Sequence, residues 1–233
     1  MTEIIKHLNK KFEHKKTQEI LEYFLEKYKG KITFSSSFGA EDQLLTDMIT
    51  KIDKDAKIFT LDTYVLPPQT YDVMKKTNTR YEITVESYQP TYEELEQLYK
   101  RQGLNGFYES VENRKDCCFV RKIVPLKKAL KGMRVWITGL RAEQSVTRTE
   151  MQLLEWDEGN DIIKLNPLVL WTHEDVWAYI REHDVPYNEL HDQGYPSIGC
   201  APCTRAVKAG DDIRSGRWWW ENPEHKECGL HFK

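Results

Sequence analysis

The placement of cysteine constrains this chain more than any other feature. Cys117 and Cys118 are adjacent, Cys200 and Cys203 form a Cys-x-x-Cys, and Cys228 stands near the end, while the first half has none. Five is an odd count, and structural disulfides are disfavoured in a reducing compartment. The pattern therefore reads as a four-thiolate site plus one further thiol. Thiolate is a soft ligand, and four together select zinc or an iron–sulfur cluster. A Cys-x-x-Cys turn presents two sulfurs to one centre. Adjacent cysteines diverge in regular structure, which strains a small tetrahedral ion but suits a cluster with several iron corners. Spacing leaves three outcomes open: a cluster, a zinc clip joining the C-terminal segment to the core, or buried thiols without a ligand.

The rest of the chain alternates strand and helix patterns. Ile5, Leu8 and Phe12, then Leu21, Phe24, Leu25 and Tyr28, have helical spacing over residues 3–29. Lys31–Ser35 reads as a short buried strand and Ser36–Ala40 as a small-residue turn, with a helix over Glu41–Ile52. Ala56–Leu61 is a second strand, Pro67-Pro68 opens a helix, and Tyr81–Val85 is a third strand. Helices are expected over Thr91–Arg101 and Cys118–Leu130, and a fourth strand over Arg134–Thr138. Glu150–Trp156 and Ile162–Leu165 flank a hairpin-like turn, and Thr172 with Asp175 resembles a capped helix start. The expected architecture is α/β: a mostly parallel, Rossmann-like sheet with helices on both faces and a loop-rich C-terminal segment. The expected division is a helical segment over 1–30, an α/β domain over 31–185 and a C-terminal tail over 186–233. Ligands in such sheets bind beyond the carboxyl ends of the strands, where Ser35–Gly39, Asp62-Thr63 and Gly139–Arg141 fall.

Charge is nearly balanced, with 34 Lys+Arg against 37 Asp+Glu. That excludes nucleic-acid binding through bulk positive charge, though not a local basic site. No run approaches the roughly 18 apolar residues of a membrane span. The first residues lack the apolar core of a secretory signal, so the expected compartment is the cytoplasm. A homo-oligomer stays open.

Several further residues suit chemistry. Ser35, Ser36, Ser37 and Gly39 lie between a strand and a helix, where hydroxyls and free N–H groups suit phosphate oxygens, although such turns often only cap helices. The Walker-type loop is absent. Arg141, Arg148, Arg205, Arg214 and Arg217 are suited to phosphate or sulfate, or are solvated surface charges. Trp218-Trp219-Trp220 suits core packing, a lid or a docking surface for a protein partner, with core or lid favoured. Cys228 has His225, Lys226 and His231 near it in sequence, which would lower its pKa. It reads either as a nucleophile that visits two partners or as an idle surface thiol.

Four stretches together resemble the assimilatory adenylyl-sulfate reductase family, related to the phosphoadenylyl-sulfate reductases. They are Ser35–Asp42, Cys117–Lys122, Ile198–Arg205, and Gly216–Glu221 leading to Lys226–His231. The resemblance runs from about Thr33 to Leu230. It implies an adenine nucleotide α-hydrolase-like fold and a 4Fe-4S cluster on Cys117, Cys118, Cys200 and Cys203. It implies Cys228 as the nucleophile, adenylyl sulfate as substrate, thioredoxin as reductant and an enzyme S-sulfocysteine intermediate. It places phosphosulfate contacts on Lys122, Arg214 and Arg217, and a ribose or phosphate contact on Arg148. Adenosine contacts then fall on the Ser35–Gly39 turn and on Gly139 and Leu140, with Asp62 and Thr63 also in the site. One stretch departs from the family. Where the family reads Leu-Asp-Thr-Gly-Arg, this chain has Leu61-Asp62-Thr63-Tyr64-Val65. The alternatives are a phosphoadenylyl-sulfate reductase and a non-catalytic iron–sulfur redox-sensing module.

Overall fold

The computed structural model describes residues 2–144, 150–208 and 210–222. These divide into two compact units. The first takes the residues up to Thr60, Thr70–Glu86 and Gly132–Asn188; the second takes Leu61–Gln69, Ser87–Lys131 and the residues from Glu189 onward. Among the described residues, no helix is long and apolar enough to cross a membrane.

The frame is a six-stranded sheet. Its strands are β1 (Ile32–Ser35), β2 (Lys57–Leu61), β3 (Glu86–Tyr88), β4 (Val135–Ile137), β5 (Leu154–Asp157) and β6 (Ile162–Leu165), in the order β3-β2-β1-β4-β6-β5. β1 pairs in parallel with β2 and β4, β4 pairs in parallel with β6, and β5 is antiparallel to β6. The residues of β4 and β6 are buried along their whole length, as are the first three of β1. β4 is accordingly an unbroken apolar run, while β1 and β6 each bury one polar side chain, Thr33 and Lys164. Strand order reverses between β1 and β4, and the carboxyl ends of strands at such a point form a natural ligand crevice.

Helices α1 (Thr2–Phe12), α2 (Thr17–Lys27), α3 (Ala40–Ile52), α4 (Pro68–Tyr81) and α8 (His173–Glu182) belong to the first unit. Their buried faces join the strands in one core containing Phe24, Phe34, Leu44, Leu45 and Ile137. Asp47 on α3 ties three helices together: it accepts from Tyr81 Oη of α4 at 3.1 Å and from Tyr179 Oη of α8 at 2.7 Å. The second unit carries α5 (Tyr92–Gln102), α6 (Val111–Cys118) and α7 (Val124–Leu130).

Three elements differ from the sequence expectation. The first helical stretch is two helices, α1 and α2. The third strand is Glu86–Tyr88, because α4 runs on to Tyr81 and the chain then turns back against it. There Asn78 O accepts from Ile83 N, and Asn78 Oδ1 accepts from Val85 N. The helix expected over Cys118–Leu130 starts earlier, at Val111, where Ser110 Oγ caps Asn113 N at 3.0 Å. It then passes through a π-helical turn over Phe119–Ile123, in which Val124 N bonds Phe119 O. Pro125 accounts for the turn. It has no N–H to give to Arg121 O and its ring crowds that carbonyl, so the chain widens there.

Candidate functional site

In the first unit, the turn after β1 is built from short internal hydrogen bonds. Ser35 Oγ accepts from Trp136 Nε1 at 2.8 Å, and Ser36 Oγ accepts from Phe38 N at 3.2 Å. Ser37 donates both its N–H and its hydroxyl to Asp42 Oδ2, at 2.6 and 2.7 Å. All three candidate hydroxyls therefore have partners inside the unit. Phe38 takes φ +60° and buries its ring, which reverses the chain into Gly39 and α3.

Asp42 was not singled out from sequence. Burial pushes its carboxyl up to about 7 against the two Ser37 bonds, and the neighbouring Glu41 charge adds to the rise. A Cβ on Gly139, just beyond β4, would run into Asp42 Oδ1. Glycine at 139 is thus what lets the β4 exit lie against the start of α3. Leu140 beside it is buried. Arg141 follows, and its guanidinium pairs with Glu41 and Glu143. Arg148 lies outside the described residues.

In the second unit, the four cysteines line one cavity of about 220 Å³. Arg114, Arg121, Lys122, Arg217, Val65 and Trp218 also line it. None of the four is in a disulfide; Cys118, Cys200 and Cys203 are buried and Cys117 is half-buried. Burial is the main cause that pushes the Cys203 thiol up to about 12, with the nearby Cys200 adding to it and Lys122 and Arg217 opposing. Burial also raises Cys117, against the nearby Arg121 charge. Thiols so placed stay protonated at neutral pH unless something positive binds them. Among the described residues, no group of three His, Cys, Asp or Glu side chains is arranged to hold a single metal ion.

The two cysteine pairs meet because several links bring their segments together. Thr63 is the hub: its hydroxyl lies 3.3 Å from Cys200 Sγ, and its carbonyl accepts from Arg121 Nη1 at 2.6 Å. Arg121 also donates to Tyr99 Oη at 2.7 Å. Val65 O accepts from Ala201 N at 2.7 Å. Asp62 Oδ1 accepts from Tyr64 N at 2.8 Å, and this local bond holds Tyr64 at φ +60°, the region a glycine takes most easily. Arg217 lies over the backbone of Gly199, where a Cβ would meet its guanidinium, and Nη1 donates to Ile198 O at 3.3 Å. Arg217 Nε is buried without a hydrogen-bond partner. Trp218 is fully buried with Arg114 and Arg217 each 4.7 Å from its ring centroid and Arg214 at 5.9 Å, distances suited to cation–π attraction. Trp218 is therefore core, whereas Trp219 is 41% exposed.

Of the sequence candidates, Ser35, Ser36, Ser37, Gly39, Gly139 and Leu140 gather in the first unit. Asp62, Thr63, Lys122, Arg214, Arg217 and the four cysteines belong to the second. Cys228 lies outside the described residues. Sequence reasoning missed Asp42, Arg114 and Arg121. Arg121 stands inside a stretch that was singled out, beside Lys122, but only the structure shows that it turns toward Thr63.

The family profile described as "Phosphoadenosine phosphosulfate reductase domain" matches residues 31–206. The chain is 54% identical over 200 residues to the adenosine 5'-phosphosulfate reductase of Allochromatium vinosum, covering 86% of this chain and 78% of that protein. Among solved structures it resembles the phosphoadenylyl-sulfate reductase of Candida auris in its phosphate complex. The TM-score is 0.76 and the identity 34%, over 89% of this chain and 98% of that one. Yeast FAD synthetase, 14% identical with a TM-score of 0.57 over 82% of this chain and 66% of that one, shares the fold. The chain belongs to the phosphoadenosine phosphosulfate reductase family.

Proposed function

We propose that this chain reduces adenylyl sulfate to sulfite and AMP, as an oxidoreductase of sulfate assimilation. The observation that carries the reading is the cavity in which Cys117, Cys118, Cys200 and Cys203 meet Arg121, Lys122 and Arg217. It stands in a chain 54% identical to an adenosine 5'-phosphosulfate reductase.

The donor set fits a 4Fe-4S cluster. It offers four sulfurs around a cavity, a wall of guanidinium and ammonium groups to balance an anionic cluster, and the unpartnered Arg217 Nε. When bound, the cluster supplies order and electrostatic polarisation.

In the proposed reaction, the Cys228 thiolate attacks the sulfur of adenylyl sulfate. The S–O bond to AMP breaks, leaving Cys228 as a sulfocysteine. A thiol of a thioredoxin-type dithiol protein then attacks Cys228 Sγ and expels sulfite, and its second thiol resolves the mixed disulfide. The dithiol supplies both electrons. Lys122, Arg214 and Arg217 offset the repulsion between the thiolate and the anionic sulfonate. Adenosine is assigned to the Ser35–Gly39 turn and the Gly139-Leu140 backbone and the ribose or phosphate to Arg148, and Asp62 and Thr63 are kept as substrate contacts on the family resemblance. Within this reading, residues 31–185 form the nucleotide-binding part and 186–233 the cysteine-bearing tail, preceded by a helical segment over 1–30. Four cysteines without a disulfide suit a reducing compartment such as the cytoplasm.

The test is intact mass after one exposure to adenylyl sulfate without reductant, with the 3′-phosphorylated nucleotide in parallel. One added SO₃, lost on adding thioredoxin and absent in Cys228→Ser, is expected. An adduct with only the 3′-phosphorylated nucleotide would move the assignment to phosphoadenylyl-sulfate reduction. No adduct from either would overturn it.

A further inference from the structure

We propose that Arg141 is the positioning residue that holds the two nucleotide loops of the first unit in one geometry. The inference rests on the reading that adenosine binds at the Ser35–Gly39 turn and at Gly139-Leu140.

Arg141 leaves the end of β4 directly after those two residues and is only 2% exposed. Its Nε donates to Glu41 Oε1 at 2.9 Å, and its Nη1 donates to Glu143 Oε2 at 2.6 Å and to Trp171 O at 3.3 Å. A buried guanidinium is tolerated only when it is paired, and here two carboxylates and a carbonyl take the donors of Nε and Nη1. These bonds brace the elements around Arg141 against one another.

What it braces is specific. Glu41 stands in the first turn of α3, and the next residue, Asp42, takes both Ser37 bonds. The ion pair therefore links the β4 exit to the serine turn through two consecutive residues. Asp42 against Gly139 is a second contact between the same loops. Glu143, the other carboxylate, also accepts from His173 N at the start of α8 at 2.8 Å. One guanidinium thus gathers the starts of two helices at the carboxyl end of β4. β1 and β4 are neighbours where strand order reverses, so both loops flank the crevice expected to take the ligand. A lysine at 141 is a point charge and does not reproduce a fork that spans two carboxylates.

The experiment compares wild type with Arg141→Met, Arg141→Lys and Glu41→Gln. It measures AMP affinity, KM for adenylyl sulfate, and the single-turnover rate of sulfonation at saturating nucleotide. Arg141→Met is expected to weaken AMP binding and raise KM by about tenfold or more. The saturating rate is expected to stay within about twofold of wild type. Arg141→Lys is expected to fall between. A role confined to stability lowers the active fraction and leaves KM unchanged, and that result would overturn the proposal. So would folded Arg141→Met that binds AMP like wild type. Where Arg141→Met does not fold, Glu41→Gln decides: weaker AMP binding supports the brace, and unchanged binding overturns it. Wild type that binds neither AMP nor adenylyl sulfate would overturn the functional reading, and this inference with it.

Discussion

Arg114 and Glu221 form a two-pronged ion pair inside the second unit, with Nε to Oε1 at 2.9 Å and Nη2 to Oε2 at 2.8 Å. The side chains are 1% and 4% exposed. The same guanidinium lies 4.7 Å from the Trp218 ring centroid, so the pair and the ring fix each other. Removing one partner strands a buried charge, which costs about 3–5 kcal/mol. Glu221→Ala is therefore expected to lower the denaturant midpoint strongly. The double variant Arg114→Met with Glu221→Leu is expected to recover much of the loss, because a matched apolar pair leaves no unpaired charge. Equilibrium denaturation of the set checks both. Equal loss in the single and double variants would mean that Trp218 packing, and not charge pairing, dominates.

Tyr64 sits at φ +60° with its side chain 54% exposed. A non-glycine residue there costs about 1–2 kcal/mol, and the Asp62 bond to Tyr64 N holds it in place. The backbone at Tyr64 therefore takes a conformation that glycine adopts without strain. Tyr64→Gly is expected to raise stability by about 1 kcal/mol. Tyr64→Val, β-branched and worse in this region, is expected to lower it. Thermal melts of the two variants beside wild type give opposite signs if backbone strain governs the site, and the same sign if the exposed ring matters more.

The frame of the fold was open to sequence reading because buried parallel strands write themselves as apolar runs. Val135–Ile137 shows this. The helix starts at Thr91 and Thr172 were legible through their caps, where each threonine accepts from the backbone N–H three residues on. The π-helical turn was not open, because its cause is a donor that Pro125 lacks, and periodicity does not register a missing hydrogen. The cysteine spacing by itself pointed to a shared site. The charges around that site were less legible. Arg114 finds its carboxylate at residue 221 and Arg121 finds its carbonyl at residue 63, and pairings at such separation leave no local trace. Asp42 stood in a motif read for its serines, yet its burial is decided by Gly139 from another strand.

The Asp42 carboxyl gives the first unit a pH dependence of definite sign. Its pKa rises from 3.8 to about 7 on folding, with burial as the main cause. The folded state therefore holds its proton where the unfolded chain has lost it. The resulting stability is fully present below about 4 and is lost as pH rises toward 7. Asp42→Asn keeps an acceptor for both Ser37 donors and cannot ionise. It is expected to flatten the Asp42 part of the profile and to gain on wild type as pH rises from 4 to 8. Denaturant midpoints across that range test it. A constant difference between the two proteins would show that Asp42 keeps its ordinary pKa.

The four thiols give the most direct test of what the second unit holds. Cys203, pushed up to about 12, has no reason to ionise at neutral pH unless it meets a metal. Binding that deprotonates such buried thiols becomes part of the folding free energy. Protein purified without oxygen is therefore expected to carry about four iron and four acid-labile sulfide per chain, and to melt at lower temperature once the iron is removed. Cys203→Ala is expected to lose the sulfide together with most of the iron. Arg121→Met, which keeps every thiol but breaks the links to Thr63 O and Tyr99 Oη, is expected to retain iron after gentle purification and to release it faster to a chelator. Metal analysis with chelator-release kinetics distinguishes the outcomes. One zinc per chain and no sulfide would make the site a structural clip.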